Sequence, residues 1–441
     1  MVSSHRDHAL VLGGSITGLL TARVLADHYA RITIVERDRL PSTVEHRRGL
    51  PHGRHVHGML PQGLRTVEQL LPGFTRSVVS AGGLVGDILG NTRWYLNGRM
   101  LRQTETGLTA LSASRPLLEA AIRERVRALP NVTVLDGHDI AGLCASATAE
   151  RITGATVTGR TGRRIVHADV VIDATGRGSR TPRWLADLGY EPPPADRVVI
   201  DLSYSTCLFQ APDGLLGDDL IVVTARFPGQ RRSAVMQRLE GGRILVTLAG
   251  VLGERPPDTL DGFLGYARTL AAPDTHEVLR VAKPIGTPVP FRYPAYVRHR
   301  YEQLNRFPAG LLVAGDAACN FNPVYGQGMS VAALNALAVR DELRHGGEPD
   351  PYRFFKVMSR TLEAPWRLAV GADLALPGVT GPALADSPLT GEYVGRLQLA
   401  GTEDATLAAA FIRVTSLIDP PTALLHPDIV ERVNRTAFSR V

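Results

Sequence analysis

The chain has 441 residues, of which 44% are hydrophobic and 21% charged, and its formal net charge at pH 7 is +6. The length predicts two or three domains, and the composition is typical of a soluble globular protein. The basic residues are almost all arginines spread along the chain without interleaved aromatic runs, so we expect no nucleic-acid binding. Three scattered cysteines predict neither disulfides nor a metal site. We see no signal peptide and no apolar run of about 20 residues, which predicts a cytoplasmic protein without a transmembrane segment.

The first predicted unit is a strand over residues 8–13, a helix over 16–29 and a second strand over 31–38. The turn GGSITG joins the first strand to the helix and resembles G-x-G-x-x-G with Ser15 at the middle position. Gly13 would allow a tight turn and Gly18 a close helix, and Ser15 could bond a phosphate or cap the helix. Glu36 follows about 20 residues on, where a carboxylate accepts ribose hydroxyls and disfavours a 2′-phosphate. The unit predicts FAD or NAD rather than NADP, the alternatives being an ordinary strand–turn–helix and a solvated glutamate.

The middle of the chain combines a segment rich in Gly, His and Arg with an amphipathic helix and a long strand-like region. Residues 47–63 are rich in Gly, His and Arg, and a strongly amphipathic helix capped by Ser114 is predicted over 114–129. From about 190 to 300 the pattern is strand-like, with turns marked by Gly, Pro and Asp. The apolar alternation there suits either the wall of an apolar pocket or an ordinary sheet core, and it involves Val222, Met236, Leu245 and Leu248.

The segment 307–343 predicts an apolar strand, a loop and a long apolar helix. Asp316 follows the strand, where an acid can hold the hydroxyls of a ribityl chain, and Gly326 and Gly328 precede the helix. Backbone N–H groups at such a helix N-terminus suit an electron-rich flavin ring. The alternative is an ordinary strand–loop–helix connection. The remainder, from about 350, is predicted to be mostly helical with breaks at the prolines 365, 377, 388 and 420–421.

Three motifs make the whole chain resemble the group A FAD-dependent monooxygenases of the para-hydroxybenzoate-hydroxylase type. Within that group the chain is most similar to bacterial flavin epoxidases of polyketide, polyether or polyene precursors. The motifs are GGSITG with Glu36-Arg37, VVIDATGRGSR (170–180) and GDAACNFNPVYGQGM (315–329). The chain departs from the family where the hydroxylases have Ala-Asp-Gly, because it has Ala174-Thr175-Gly176, although Asp173 lies two residues earlier. It also lacks the Trp-x-Trp motif of flavin halogenases.

The resemblance implies an α/β fold with a Rossmann-like FAD-binding domain, an inserted antiparallel β-sheet substrate domain and a C-terminal helical region. The implied boundaries are 1–83, 110–185 and 300–345 for the FAD-binding domain, 84–109 and 186–299 for the substrate domain, and 346–441 for the helical region.

The resemblance also implies site residues. The expected cofactor-binding residues are Gly13, Gly14, Ser15, Gly18, Glu36, Arg37, Arg54, Arg115, Asp316, Gly326, Gly328 and Met329. The catalytic candidates are His55, His57, Pro323 and Tyr325. Each histidine could instead be structural, and Tyr325 could be a packing residue. Trp366 and Asp373 are candidates in a helical segment that would cap the cavity, and no metal ligand is expected.

The implied activity is that of an FAD-dependent monooxygenase with NAD(P)H as transient electron donor. It would insert one oxygen atom from O2 into a hydrophobic secondary-metabolite precursor, and alkene epoxidation through a flavin C4a-hydroperoxide is the leading hypothesis. The alternatives are hydroxylation of a polyketide phenol, reduction of a prenyl or polyene chain without oxygen, and flavin binding without turnover. We expect a hydrophobic small molecule and O2 as partners, and a monomer or homodimer.

Overall fold

The computed structural model describes residues 6–212, 214–384 and 389–438. The strands are β1 (Arg6–Leu12), β2 (Tyr29–Val35), β3 (Leu84–Asp87), β4 (Thr92–Leu96), β5 (Arg99–Met100), β6 (Thr109–Ser112), β7 (Val132–Leu135), β8 (Asp139–Ala145), β9 (Ile152–Gly159), β10 (Gly162–His167), β11 (Val170–Asp173), β12 (Ala195–Gln210), β13 (Ile221–Thr224), β14 (Arg232–Leu239), β15 (Arg243–Gly250), β16 (Lys283–His299) and β17 (Leu311–Val313). The helices are α1 (Ile16–Leu25), α2 (Pro61–Leu70), α3 (Phe74–Ser80), α4 (Arg115–Arg127), α5 (Thr181–Asp187), α6 (Leu260–Ala267), α7 (Asp274–Val281), α8 (Gly328–Arg344), α9 (Pro351–Leu374), α10 (Gly391–Ala400), α11 (Ala405–Thr415) and α12 (Pro427–Phe438).

A five-stranded parallel sheet carries the nucleotide-type motifs, with the strand order β17-β11-β1-β2-β7. Leu12 at the end of β1 is in register with Val35 of β2 and with Asp173 of β11. These three strands therefore end at the same edge, which is where ligands bind in open α/β sheets. Helix α1 packs against α4 and α8 over an apolar core that includes the fully buried strand β1 residues 9–12.

A seven-stranded, mostly antiparallel sheet has the order β16-β12-β15-β14-β13-β4-β5. Successive side chains of a strand point to opposite faces, so each strand has a core face and a second face. Val222, Met236 and Leu248 pack with α6 and α7 in a separate core, so for these three the sheet-core alternative is correct. The intervening residues of β13, β14 and β15 lie on the opposite face and line a cavity, and they are Ile221, Val223, Ser233, Val235, Gln237, Thr247 and Ala249.

Smaller sheets and a group of helices complete the fold. Strands β8, β9 and β10 form a three-stranded antiparallel sheet, and β3 pairs with β6. Helices α9 to α12 follow the parallel sheet in the chain, and α10, α11 and α12 share a small core. Within the described ranges, no helix is both long and apolar enough to cross a membrane.

The predicted fold class is confirmed: a parallel Rossmann-like sheet, separate antiparallel sheets and C-terminal helices are all present. Two local predictions are wrong. The first helix ends at Leu25 rather than residue 29, because β2 already begins at Tyr29 after a short turn. Helix α9 runs through Pro365 without a break. The Ser114 cap is present, since its hydroxyl accepts the N–H of Leu117 at 3.3 Å. Residue 388 lies outside the described residues.

Candidate functional site

A cavity of about 1560 Å³ lies between the carboxyl edge of the parallel sheet and the second face of the antiparallel sheet. Its wall includes the β1–α1 turn, segment 47–60, the turn after β11, the loop before α8, and residues of α9, α10 and α11. A site for one drug-sized ligand has roughly 300–1,000 Å³. The cavity is therefore large enough for a cofactor and a second molecule.

The β1–α1 turn is held tight by its glycines. Gly13 has a φ of +107°, and a Cβ atom there would lie 2.4 Å from the carbonyl oxygen of Ala174. A Cβ atom at Gly18 would lie 1.8 Å from the carbonyl oxygen of Gly13. Helix α1 therefore starts directly against the end of β1, and Ser15 and Ile16 of this turn line the cavity. The first N–H groups of a helix have no partner within it, so this end suits an anionic group.

Glu36 directly follows β2 and is buried at the cavity wall. Its carboxylate accepts the backbone N–H of Gly14 at 2.8 Å and that of Asp38 at 3.0 Å. Arg47 lies 3.3 Å from the same carboxylate. Arg37 is exposed and also lines the cavity, and it donates to the carbonyl oxygen of Gly49 at 2.9 Å. The structure thus holds Glu36 rigidly at the position where the sequence predicted a ribose contact.

Ser15 belongs to a buried polar network rather than acting as a helix cap. It occupies the N-cap position of α1 without bonding a backbone N–H of that helix. Its hydroxyl donates to Glu119 Oε2 at 3.0 Å and accepts from Arg115 Nη2 at 3.0 Å. Glu119 also pairs with Arg47 at 2.7 Å. Burial lowers the pKa of the Arg115 guanidinium, and Glu119 opposes that shift. Of the two roles considered for Ser15, capping of the helix is therefore wrong, and no sequence pattern pointed to Glu119 or Arg47.

Asp316 follows β17 and faces the cavity. Burial raises the pKa of its carboxyl group, while Arg177 and Arg115 oppose the shift. Within the described part of the chain, no protein group donates a hydrogen bond to this carboxylate. The turn itself is fixed, because Asn335 of α8 accepts the N–H of Gly315 at 2.8 Å. A cavity-facing acid with open acceptors matches the hydroxyl groups of a ribityl chain.

The loop before α8 also reaches the cavity. Gly326, Gly328 and Met329 line it, and Gly326 has a φ of +64°, in the left-handed region that favours glycine. Asn322 accepts the N–H of Val324 at 3.2 Å and so shapes this loop. Pro323 is exposed at the cavity wall, where it offers no titratable group.

The histidines of segment 47–63 line the cavity as neutral imidazoles. His55 shares a hydrogen bond of 2.7 Å between Nδ1 and the Thr206 hydroxyl, and His57 donates from Nδ1 to the carbonyl oxygen of His55 at 2.9 Å. Burial lowers the pKa of His55 to about 4, with Arg54 adding to the shift, and burial lowers the pKa of His57 to about 3. Arg54 itself is exposed and, among the described residues, is not part of the cavity wall. The structure therefore does not bring Arg54 to the cavity, whereas Arg47 is part of the cavity wall.

Tyr325 is tied into a buried cluster around Asp373 of α9. Its hydroxyl donates to Asp373 Oδ1 at 2.6 Å and accepts from Arg226 Nη2 at 3.0 Å. Burial raises the pKa of Tyr325 far above its ordinary value. Because its hydroxyl is engaged on both sides, the structure favours the packing alternative for Tyr325, which also lines the cavity. Trp366 is buried against Tyr296 and, among the described residues, is not part of the cavity wall.

The turn after β11 is held by Asp173, which is fully buried. Its carboxylate accepts the hydroxyls of Thr175, Ser179 and Thr181 at 2.5–2.6 Å. Asp173 therefore shapes the turn and does not replace the missing aspartate of the Ala-Asp-Gly pattern. Arg177, two residues after Thr175, lines the cavity with its guanidinium 4.6 Å from the centre of the Tyr293 ring.

The arrangement fits FAD. Asp316 has open acceptors for hydroxyl groups, Glu36 Oε1 accepts a single backbone N–H and has one lone pair left, and two helix N-termini open on the same cavity. Arg177 and Arg115 bring positive charge close to Asp316. Most of the residues predicted to bind the cofactor line this cavity, whereas Arg54 does not, and their contact with FAD stays a prediction.

Comparisons with known proteins agree with this geometry. No family model matches the chain. Protein Rv3254 of Mycobacterium tuberculosis is 32% identical over 446 aligned positions, which cover 95% of this chain and 91% of that protein. Solved structures of several flavoproteins share the fold. A flavoprotein/dehydrogenase from Cytophaga hutchinsonii has 13% identity and a TM-score of 0.69, with 98% of this chain and 100% of that chain covered.

PqsL, a probable FAD-dependent monooxygenase from Pseudomonas aeruginosa, has 17% identity and a TM-score of 0.60, covering 92% of this chain and 100% of that chain. CmlS, a flavin-dependent halogenase, has 16% identity and a TM-score of 0.64, covering 99% of this chain and 78% of that chain. At these identities the similarity shows the fold alone, and the narrower likeness to epoxidases stays a prediction. The chain belongs to the family of Protein Rv3254 and has the FAD-binding fold found in flavin-dependent monooxygenases and halogenases.

Proposed function

We propose that this protein is an FAD-dependent monooxygenase that inserts one oxygen atom from O2 into a hydrophobic small molecule, with NAD(P)H as reductant. One observation carries the proposal: a single cavity joins the acceptors Glu36 and Asp316 to the mostly apolar second face of the antiparallel sheet. A cofactor held at the first part would therefore be in direct reach of an apolar molecule held at the second. PqsL, which shares the fold, has been solved in complex with 2-aminobenzoylacetate, which supports a small-molecule substrate.

When bound, FAD supplies the redox and oxygen chemistry, and the protein contributes binding, orientation and exclusion of water. The β1–α1 turn and Glu36 would hold the adenosine diphosphate part, and Asp316 with the loop 323–329 would hold the ribityl chain and ring. The apolar side chains Ile221, Val223 and Val235 would keep the reacting region dry. The positions of these side chains along the cavity wall support the proposed roles.

We favour alkene epoxidation over phenol hydroxylation because, among the described residues, the histidines that line the cavity are weak bases and Asp316, the acid with open acceptors, is assigned to the ribityl chain. An effective general base has a pKa near the working pH. Burial lowers the pKa of His55 to about 4 and that of His57 to about 3, so both are weak bases. Asp173 and Asp373 are each saturated by protein donors. An alkene needs no deprotonation, whereas a phenol does.

The test uses the purified holoenzyme, 18O2 and both NADH and NADPH. We expect bound FAD, oxidation of one nicotinamide per product, one 18O atom in the product and one in water. Matched alkene and phenol panels, read by mass spectrometry, separate epoxidation from hydroxylation. The Asp316→Asn variant, which should lose FAD affinity, controls for flavin dependence. Product without 18O, or reduction of an alkene without oxygen uptake, would refute the oxygenase proposal.

A further inference from the structure

Arg226 places a hydrogen-bond donor in the apolar part of the cavity. It follows β13 by one intervening residue, lines the cavity, and its side chain is only 7% exposed. Its Nη2 group donates to the Tyr325 hydroxyl and to Asp373 Oδ1. These two bonds use both protons of Nη2 and fix the plane of the guanidinium.

Asp373 orients and neutralises Arg226 but is itself saturated. It is fully buried, and its Oδ1 accepts from Arg226 and Tyr325. Its Oδ2 accepts from the Tyr296 hydroxyl at 2.8 Å and from Asn322 Nδ2 at 2.9 Å. No lone pair of Asp373 is left for a ligand, and the Arg226–Asp373 pair has no net charge.

The second amino group of Arg226 is different. Within the described ranges Nη1 donates to no protein atom, and unlike Nε it is not enclosed by protein. Since Arg226 lines the cavity, the two Nη1 protons are available there. An unpaired donor in a largely apolar cavity costs free energy until an acceptor reaches it.

We propose that Arg226 Nη1 binds an oxygen atom of the substrate, so that the substrate is a hydrophobic molecule carrying a carbonyl or hydroxyl group. The neutral ion pair favours such an uncharged acceptor, because a carboxylate would bring a second negative charge to Asp373. The bound oxygen would lie beside the loop 323–329, since Tyr325 contacts the same guanidinium. This inference rests on the proposed function in one respect, namely that the bound molecule is the substrate.

The experiment compares trans-chalcone with 1,3-diphenylpropene, which has the same two rings and alkene but a methylene in place of the carbonyl. Equilibrium dialysis against the purified protein measures both dissociation constants without relying on turnover. A bond to a charged donor predicts that chalcone binds about 10- to 100-fold more tightly. Equal binding, or no measurable binding of either compound, would overturn the proposal.

Two variants assign the preference to Arg226. The double variant Arg226→Met/Asp373→Asn removes the donor without leaving an isolated buried charge, and we expect its preference for chalcone to fall below threefold. The variant Arg226→Lys keeps a cation next to Asp373 while losing the second amino group, and we expect the same loss. A retained tenfold preference in either folded variant would overturn the proposal. Flavin content, read separately by absorbance, tests the proposed function, because chalcone binding can persist in a protein that proves to hold no FAD.

Discussion

The replacement Asp373→Asn removes the negative charge at the centre of a buried cluster. Arg226, whose side chain is 7% exposed, then has no counter-ion, and the donors of Tyr296, Asn322 and Tyr325 compete for a single carbonyl oxygen. Breaking a buried ion pair by removing one partner typically costs about 3–5 kcal/mol. The unfolding entropy of about 2.1 cal/mol/K per residue amounts to about 0.9 kcal/mol/K for 441 residues. We therefore expect the Tm to fall by about 3–5 °C.

The assay is calorimetric melting of the FAD-loaded protein at pH 7.5, with Arg226→Met/Asp373→Asn as the matched control. The double variant has no unpaired cation, so it should be more stable than Asp373→Asn alone. A Tm change of less than 1 °C in the single variant would refute the ion-pair reasoning. A double variant less stable than the single variant would show that the loss comes from packing rather than from charge.

Four further predictions concern the cofactor end and the histidines. Gly18→Ala should abolish FAD binding and lower the Tm, because its Cβ atom would lie 1.8 Å from a carbonyl oxygen. The control variant Gly265→Ala in α6 should leave both FAD binding and the Tm unchanged, because a Cβ atom there meets open space. Asp316→Asn should weaken FAD binding about tenfold in fluorescence titrations, because it loses charged acceptors for hydroxyl groups; an unchanged Kd would remove Asp316 from the site. Ser15→Gly should still bind FAD, because the hydroxyl serves a protein network, and complete loss of flavin would contradict this. The pKa of His55 is about 4 in the folded protein and about 6.5 in the unfolded chain. The stability that neutral His55 contributes is therefore complete above pH 6.5 and is lost as the pH falls towards 4, at up to about 1.4 kcal/mol per pH unit. His55→Gln should make the Tm fall less steeply with acid, and an unchanged slope would contradict this reasoning.

The fold and the placement of the candidate cofactor residues at one edge of the sheet could be predicted because their signals are local. Glu36 and Asp316 each follow a strand of a strand–turn–helix pattern, and parallel strands end at one edge of the sheet. The register of β1 with β2 and β11 then brings together residues that are distant in the sequence. Short-range sequence patterns were therefore sufficient to predict the fold class and the candidate acceptors for the cofactor hydroxyl groups.

The sequence does not predict which arginine of segment 47–63 lines the cavity. Segment 47–63 was selected for its content of Gly, His and Arg, and nothing in that composition distinguishes Arg54 from Arg47. The 3-10 turn Pro51–Arg54 leaves Arg54 exposed, whereas Arg47 lies against Glu36 and Glu119. The position of Glu119, 104 residues from Ser15, is set by how α4 packs on α1. No short-range sequence pattern predicts how these two helices pack.

The cluster around Asp373 also depends on contacts between residues that are distant in the sequence. Asp373 is 147 residues from Arg226 and 48 from Tyr325, so no spacing rule relates them. The cluster nevertheless joins the loop before α8 to the antiparallel sheet and to α9. Tyr325 and Arg226 contact each other and share Asp373 Oδ1, so we expect a shift of one of them to displace the other. If the loop holds the flavin and Arg226 holds a substrate oxygen, as proposed, the distance between them would depend on Asp373, and we expect substitutions at Asp373 to change the site of oxygen insertion as well as its rate.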